Sequence, residues 1–279
     1  MTFDPSTAAE TRYIVSRMTH YEGDRLELEL EDVHEVDVRL VGGEVSITAC
    51  GRESTSVRLE VEVLRGPDVE VDVVEGVLVV AQQPVKTLGA LLNGDLAVRA
   101  NVTLIVPEGT DVRARTVSGD VFVAGIRSSS SLTTVSGRIT ATALDGEVGL
   151  RTVSGDIVVQ GVDGSVRANA VSGDVTISGG APSEVTARSV SGELTLDFDG
   201  VPDVDCTTVS GDVAVRLPSH AGVDVDAVTV SGRLESGFPD ALESGRRRLR
   251  GRIGDGGRRL SVRTTSGDVT VLRRAEVPA

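Results

Sequence analysis

Aromatic residues and cysteines are scarce in this 279-residue chain. Aromatic side chains make up 2% of the sequence, tryptophan is absent, and the two cysteines are Cys50 and Cys206. Two cysteines cannot form the set of disulfides that stabilises a small secreted domain. No run approaches the roughly 18 consecutive apolar residues of a transmembrane helix, and the first twenty residues lack the pattern of a secretory signal. We therefore expect a cytoplasmic protein, with peripheral association with the cell envelope as the alternative.

Basic residues are in the minority. Lysine and arginine together number 28 and aspartate and glutamate 42, which gives a formal net charge of −14. A chain with this charge repels the phosphate backbone of nucleic acids and the headgroups of anionic lipids. We expect no nucleic-acid partner and no direct insertion into a membrane.

Glycine, in contrast, is abundant, with 32 residues, and it recurs in a short motif. The tripeptide Val-Ser-Gly begins at Val117 and returns six times, at intervals of 18, 18, 18, 19, 19 and 21 residues. A variant, Thr265-Ser266-Gly267, follows after an insertion. This period is too short for helical-hairpin repeats or for propeller blades.

Each repeat carries two runs of alternating aliphatic residues, one before and one after the Ser-Gly step. Val166, Ala168 and Ala170 precede one motif, and Val175 and Ile177 follow it. Alternation with β-branched residues is typical of half-buried strands. Repeats of equal length that contain strands and no helix are accommodated when the chain coils and each strand pairs in parallel with its equivalent in the next coil. We predict an all-β parallel β-helix, or β-solenoid, with about 18–19 residues per coil and right-handed winding.

The Ser-Gly step is predicted to form a corner of every coil, because glycine turns sharply at positive φ without a Cβ clash. Equivalent corners of successive coils would then stack in one ladder. The predicted corner glycines are Gly119, Gly137, Gly155, Gly173, Gly192, Gly211, Gly232 and Gly267.

The repeat pattern divides the chain into three parts. Residues 1–20 are predicted to be an N-terminal cap or tail, and a capping box at residues 7–10 predicts a helix over 6–18. Residues 21–110 are predicted to form wider, irregular β-coils, because residues 41–47 and 74–79 are degraded echoes of the motif. Residues 111–279 are predicted to form the regular solenoid, with an arginine-rich insertion at 235–259.

Three sequence features carry a family resemblance. They are the recurring T-V-S-G-D-V, the V-P-E-G step before the first regular coil, and a final T-S-G-D-V-T-V after the insertion. In these features residues 36–272 resemble the bacterial putative-adhesin β-strand-repeat family, a domain family of unknown function. The resemblance implies a β-solenoid without established catalytic residues, and association of some relatives with envelope stress responses.

Acidic residues follow the motif in most coils. Calcium binding is one reading of this row, but calcium takes six to eight oxygens and each coil offers one carboxylate. Asp156 and Asp174 have the spacing of a glycosidase pair in a stacked arrangement, yet no cluster of aromatic residues accompanies them. We predict no catalytic residue, no metal and no cofactor. The row consists of Asp120, Arg138, Asp156, Asp174, Glu193, Asp212, Arg233 and Asp268.

Arginines are concentrated in and after the insertion, where residues 246–263 contain eight arginines and one aspartate. These arginines either neutralise the acidic body of the chain itself or bind an acidic partner. A second candidate contact segment is residues 82–95. The residues that we predict as a partner-binding surface are Arg246, Arg247, Arg248, Arg250 and Arg252.

The leading functional hypothesis is a non-enzymatic structural or interaction scaffold, with a protein partner or self-association. One alternative is a β-helix protein that assembles into filaments or oligomers. Against filaments, Arg273, Arg274 and Pro278 are predicted to protect the edge of the last coil from strand addition. The other, less favoured alternative is a carbohydrate-active β-helix enzyme.

Overall fold

The computed structural model describes residues 11–15, 24–51, 54–66, 69–82, 99–218 and 221–274. These residues form strands and connecting turns without a helix, so the all-β prediction is confirmed for them. The helix predicted over 6–18 is wrong at residues 11–15, which form a strand that pairs with residues 69–73. The chain divides into two compact units, Met1–Thr134 and Val135–Ala279.

Nine strands of the described residues begin in the first unit. They are β1 (Thr11–Val15), β2 (Asp24–Leu30), β3 (Glu35–Cys50), β4 (Val57–Arg65), β5 (Val69–Val74), β6 (Val77–Gln82), β7 (Arg99–Pro107), β8 (Asp111–Ala124) and β9 (Ser130–Ser136).

Strand β3 is the centre of this unit. One edge of β3 pairs in parallel with β8, from Glu35 beside Asp111 to Thr48 beside Ala124. The other edge pairs in parallel with β6 and then with β7. The echo at 41–47 takes the register of the motif, since Gly42 lies beside Ser118 and Gly43 beside Gly119. The coil at 111–124 therefore belongs to the N-terminal unit, although its sequence already has the regular pattern.

β8 also pairs in parallel with β9. The other pairings among the described strands of this unit are antiparallel: β1 with β5, β5 with β6, β2 with β4, and β4 with β7. The echo at 74–79 is a hairpin and not a Ser-Gly corner, because Glu75 and Gly76 have φ values of 50° and 76°. Two successive residues in this conformation form the tight turn that matches the twist of a two-stranded hairpin. The structure thus differs from the parallel coils predicted for 21–110 wherever the chain folds back in such hairpins.

The second unit contains fifteen further described strands. They are β10 (Ile139–Thr142), β11 (Glu147–Ser154), β12 (Ile157–Gln160), β13 (Ser165–Ser172), β14 (Val175–Ser178), β15 (Glu184–Arg188), β16 (Leu194–Asp197), β17 (Asp203–Ser210), β18 (Val213–Leu217), β19 (Val223–Ser231), β20 (Leu234–Ser236), β21 (Leu242–Ser244), β22 (Arg248–Ile253), β23 (Arg258–Ser266) and β24 (Val269–Arg273).

Apart from β21 and β22, these strands form two stacks of parallel strands, one on each side of the Ser-Gly corner. The stack after the corner places Ile139 beside Ile157, Ile157 beside Val175, and Val175 beside Leu194. The stack before the corner aligns β11, β13, β15 and β17 in the same way. Equivalent residues therefore lie directly above one another, and the β-solenoid prediction is confirmed.

The core consists of inward columns that run through the stacks. One column lies at the middle of the strands before the corner, and each of its members is 0% exposed. Its mostly small side chains leave space for the larger aliphatic residues of the strands after the corner, such as Ile157 and Leu196. The column is Leu150, Ala168, Ala187, Cys206, Val262 and Ala227.

The C-terminal coil does not lie at the end of the stack. β23 pairs in parallel with β17 at one edge and with β19 at the other, and β24 lies between β18 and β20 in the same way. The order of coils is therefore 203–217, 258–273, 223–236. The prediction that Arg273 and Arg274 protect an outer edge is wrong, because β24 has a paired strand on both sides.

The arginine-rich insertion covers the edge instead. β22 pairs antiparallel with the outer edge of β19, from Val223 beside Ile253 to Val228 beside Arg248, and β21 pairs antiparallel with β22. Leu249 and Ile253 face the core and are buried. The edge of β19 is thus closed by the chain itself.

Candidate interaction surface

The Ser-Gly corners bring the backbones of successive coils into close contact. A Cβ atom on Gly155 would lie 1.9 Å from the carbonyl oxygen of Gly137, and one on Gly267 would lie 2.1 Å from that of Gly211. In the second unit the glycines stack in the order Gly137, Gly155, Gly173, Gly192, Gly211, Gly267 and Gly232; in the first unit Gly119 stacks on Gly43.

The physical reason for these glycines differs from the one that the sequence suggested. Among the eight predicted corner glycines, only Gly137, Gly173 and Gly192 have a positive φ, between 150° and 159°. The feature common to the stacked corners is the absence of space for a Cβ atom between two backbones. Close approach, more than turn conformation, requires glycine here.

Four of the acidic residues that follow these glycines accept hydrogen bonds from the neighbouring coil. Asp156 Oδ1 accepts a hydrogen bond from the backbone N–H of Asp174 at 3.3 Å, and Asp174 Oδ1 accepts one from the N–H of Glu193 at 2.8 Å. Asp212 Oδ1 and Asp268 Oδ1 accept in the same way from the next coil, at 2.8 and 2.7 Å. The carboxylates thus satisfy backbone donors at the corner, where the strand ladder is interrupted.

The valine of each motif faces outward. In the second unit these side chains are between 44% and 55% exposed, although each lies one residue after a buried threonine, alanine or serine. Sequence reasoning missed this row, because a valine within a strand pattern suggests a core position. The row adds apolar surface that is available for contact; its members are Val135, Val153, Val171, Val190, Val209 and Val230.

The five arginines predicted as a partner-binding surface lie on β22 and on the turn before it. Arg248, Arg250 and Arg252 alternate with inward residues and are exposed. Arg248 forms two hydrogen bonds to the carboxylate of Asp226, at 2.8 and 2.9 Å, and Arg252 Nε lies 2.7 Å from Asp224 Oδ1. The hydrogen bonds from Arg248 lower the pKa of Asp226.

Two arginines on β23 are paired in a similar way with the neighbouring coil. Arg258 Nη1 lies 3.0 Å from Asp203 Oδ2, and Arg263 Nη1 lies 3.3 Å from Asp205 Oδ1. The backbone N–H of Arg259 donates to Asp203 Oδ1 at 2.8 Å, and this bond is the main reason why the pKa of Asp203 is lowered. These pairs show that part of the cluster neutralises the chain's own carboxylates.

Four arginine side chains remain in surplus. Within the described residues, those of Arg246, Arg247, Arg250 and Arg259 are exposed and have no carboxylate within 4.0 Å. We call these four residues the arginine surface. A groove of about 610 Å³ runs beside Arg250 and Arg259, and its lining carboxylates, Asp224 and Asp226, already accept hydrogen bonds from other arginines. Hydrogen bonds to other arginines therefore already engage the two carboxylates that line the groove, and neither lies within 4.0 Å of the guanidinium groups of the arginine surface.

Comparison with known proteins identifies the family. The family model described as Toastrack DUF4097 matches residues 26–198 and again residues 180–272.

The chain belongs to the Toastrack family. The resemblance to the putative-adhesin repeat family is thereby confirmed. Three solved structures, each described as a putative adhesin, match 91% of this Toastrack chain. The one from Parabacteroides merdae has 14% identity, 97% coverage of its own chain and a TM-score of 0.52. Those from Parabacteroides distasonis and Bacteroides fragilis have 16% and 13% identity, 97% and 98% coverage, and TM-scores of 0.46 and 0.45. None of the curated proteins matches.

The structure places the other candidate residues of this Toastrack chain as follows. Asp156 and Asp174 lie on adjacent coils, where the N–H of Asp174 donates to the carboxylate of Asp156. Both phenylalanines described in that unit, Phe198 and Phe238, are buried. Cys206 is buried, which raises the pKa of its thiol, and the half-buried Cys50 donates to the carbonyl oxygen of Val106.

Within the described residues, no three histidine, cysteine, aspartate or glutamate side chains are arranged to hold a metal ion. The described part of the chain also contains no helix that is long and apolar enough to span a membrane. Residues 83–95 of the second candidate contact segment lie outside the described residues.

Proposed function

We propose that this Toastrack protein is a non-enzymatic interaction scaffold, a right-handed β-solenoid of 18–19 residues per regular coil that binds an acidic partner protein through the arginine surface. The observation that carries the proposal is the surplus of exposed guanidinium groups on β22, on the turn before it and on β23. In a chain with a net charge of −14, such a patch is the place where an acidic protein meets attraction instead of repulsion.

The chemistry of the surface favours carboxylates as its ligands. A guanidinium group presents several N–H donors in a planar fork that fits a carboxylate with two parallel hydrogen bonds. Arg248 and Asp226 already form this arrangement within the chain. Arg250 lies on the same strand with the same outward orientation, so a glutamate or aspartate of a partner fits there in the same way.

The rigidity of the solenoid supports a scaffold role. β19 is paired at both edges, with β22 and β23, so Arg250 and Arg259 lie on a continuous sheet, and Arg246 and Arg247 lie on the turn that leads into it. Little conformational entropy is lost when a partner binds a preformed surface of this kind. The solved neighbour from Parabacteroides merdae is described as a putative adhesin, which agrees with an interaction role.

A charge-reversal experiment with a matched control tests the proposal. The test variant carries Arg247→Glu and Arg250→Glu, and the control carries Arg151→Glu and Arg188→Glu, which are exposed and have the same change in net charge. Binding of a hexaglutamate peptide is measured by isothermal titration calorimetry at low salt, where exposed charges are least screened.

We expect the unmodified protein and the control to bind the peptide and the test variant to bind at least tenfold more weakly. Increasing salt should weaken the binding that remains. The proposal is wrong if the control loses as much affinity as the test variant, or if the unmodified protein does not bind the peptide.

A further inference from the structure

The position of the C-terminal coil has a consequence for assembly. Residues 258–273 lie between two coils that precede them in sequence, with β17 and β18 on one side and β19 and β20 on the other. The two neighbouring coils therefore form a gap that receives two strands, one in each stack. The chain fills this gap with its own last described strands.

The gap is selective for a strand that carries arginine. In the observed register Ser261 lies between Asp205 and Asp226, and β23 also separates Asp203 from Asp224. Direct pairing of β17 with β19 would bring these aspartates opposite one another at about 4.8 Å, and like charges directly opposite destabilise a sheet. Arg258 and Arg263 instead pair with Asp203 and Asp205.

The inward face of the gap selects for aliphatic residues. Leu260 and Val262 on β23, and Val269 and Val271 on β24, are at most 1% exposed. Val262 completes the column between Cys206 and Ala227. A strand pair that enters the gap thus needs both this inward aliphatic pattern and the outward arginines.

A short glycine-rich turn joins the inserted coil to the rest of the unit. Residues 254–257 connect β22 to β23, which lie on opposite edges of β19. Gly254, Gly256 and Gly257 have φ values of 57°, 75° and 109°, so the turn depends on conformations that glycine adopts readily. If this turn extends, β23 and β24 can leave the gap without breaking any pairing among the other strands.

We propose that the gap between coils 203–217 and 223–236 is a strand-acceptor site, and that two copies of this chain associate by exchanging residues 258–274. Each copy inserts its C-terminal coil into the gap of the other. All strand pairings and ion pairs of the inserted coil are then formed again between the two copies, and only the turn at 254–257 changes its conformation. Exchange of an identical element between two copies in this way is domain swapping. The proposal is argued from Arg258 and Arg263; of the arginine surface, only Arg259 lies in the exchanged coil.

A cross-linking experiment on the full-length chain tests this exchange. In a background with Cys50→Ser and Cys206→Ala, one chain carries Ala214→Cys and a differently tagged chain carries Thr270→Cys. These residues are partners on β18 and β24, at a separation within reach of a disulfide. The control mixture carries Thr176→Cys on one chain and Thr195→Cys on the other, a partner pair on β14 and β16.

The mixtures are unfolded together, refolded at high protein concentration and oxidised. We expect a disulfide-linked dimer with both tags from the Ala214→Cys and Thr270→Cys mixture, in an amount that rises with protein concentration, and at least tenfold less from the control mixture. A single chain with both Ala214→Cys and Thr270→Cys serves to establish that the variant folds and that the pair can form a disulfide.

The exchange proposal is overturned by either of two results. One is an intramolecular disulfide in the double-cysteine chain without any mixed dimer at high concentration. The other is an equal yield of mixed dimer from the control pair, which would reflect random collision.

Discussion

Replacement of Gly155 by alanine tests the physical basis of the corner ladder. The added Cβ atom would lie 1.9 Å from the carbonyl oxygen, 2.8 Å from the carbonyl carbon and 3.0 Å from the nitrogen of Gly137. All three are backbone atoms, so no side chain can rotate away. Gly155 does not have a left-handed φ, so alanine can adopt its backbone conformation. Any loss of stability in this variant therefore reports the close approach of the two backbones.

The loss of unfolding free energy can be estimated from the distance by which the added methyl group must separate the two coils. The oxygen and the new carbon must separate by more than 1 Å to reach ordinary contact, which opens two coils that are about 4.8 Å apart. This movement stretches the hydrogen bond between these two coils from the Ile139 N–H to the Asp156 carbonyl oxygen, now 2.9 Å. Overpacking costs about 1–3 kcal/mol and a weakened hydrogen bond about 1 kcal/mol. We expect a loss of about 2–4 kcal/mol.

Thermal unfolding followed by circular dichroism measures this loss. For a unit of this size, 1 kcal/mol corresponds to a shift of about 2–4 °C in the midpoint, so Gly155→Ala should lower it by roughly 4–16 °C. Gly109→Ala is the control, because a Cβ atom there would have no neighbour within 4 Å. Equal midpoints for Gly155→Ala and Gly109→Ala would refute the close-approach explanation.

Three further predictions concern the core, the thiols and the acid limit. Ile157→Asp places a charge at a fully buried position and should unfold the second unit. Asp156→Asn keeps the oxygen that accepts the hydrogen bond and should change the midpoint of urea unfolding little. A midpoint for Ile157→Asp equal to that of the unmodified protein would contradict the inward position of Ile157. A thiol reagent should modify half-buried Cys50 before buried Cys206; equal rates would show that Cys206 is accessible. The hydrogen bonds from Arg248 lower the pKa of Asp226, so this pair should stabilise the folded chain above about pH 4 and lose that effect as pH falls further. Unfolding measured across an acid series tests this, and a free energy of unfolding that does not decline there would refute it.

The regular coils were predictable from the sequence because their inward and outward residues alternate without interruption. Val175 and Ile177 are buried as their alternation indicates, and they stack on Ile157 and Val159 in the predicted register. The antiparallel hairpins of the first unit were not predictable in this way. The sequence Val74-Glu75-Gly76-Val77 is compatible with a Ser-Gly corner, and the choice of a hairpin depends on the pairing of β5 with β6.

The candidate site was predictable only in part. The concentration of arginines is visible in the sequence, but it does not distinguish Arg248, which pairs with Asp226, from Arg250, which has no carboxylate within 4.0 Å among the described residues. That distinction depends on which residues of β19 lie beside β22. The hydrogen bonds of the acidic residues at the corners were also not predictable from the local sequence, because they run between coils.

In the regular coils the linear order of residues was sufficient to predict the inward positions on either side of the Ser-Gly step and the corner itself, since these depend on local alternation and on that step. It did not fix which coils become neighbours, because every repeat offers nearly the same inward column to every other. That choice depends on residues that are distant in sequence. The aspartates of β17 and β19 oppose direct contact, the arginines of β23 pair with carboxylates on one side, and β22 closes the outer edge. Charge complementarity across the assembled stack thus decided the order of the last three coils.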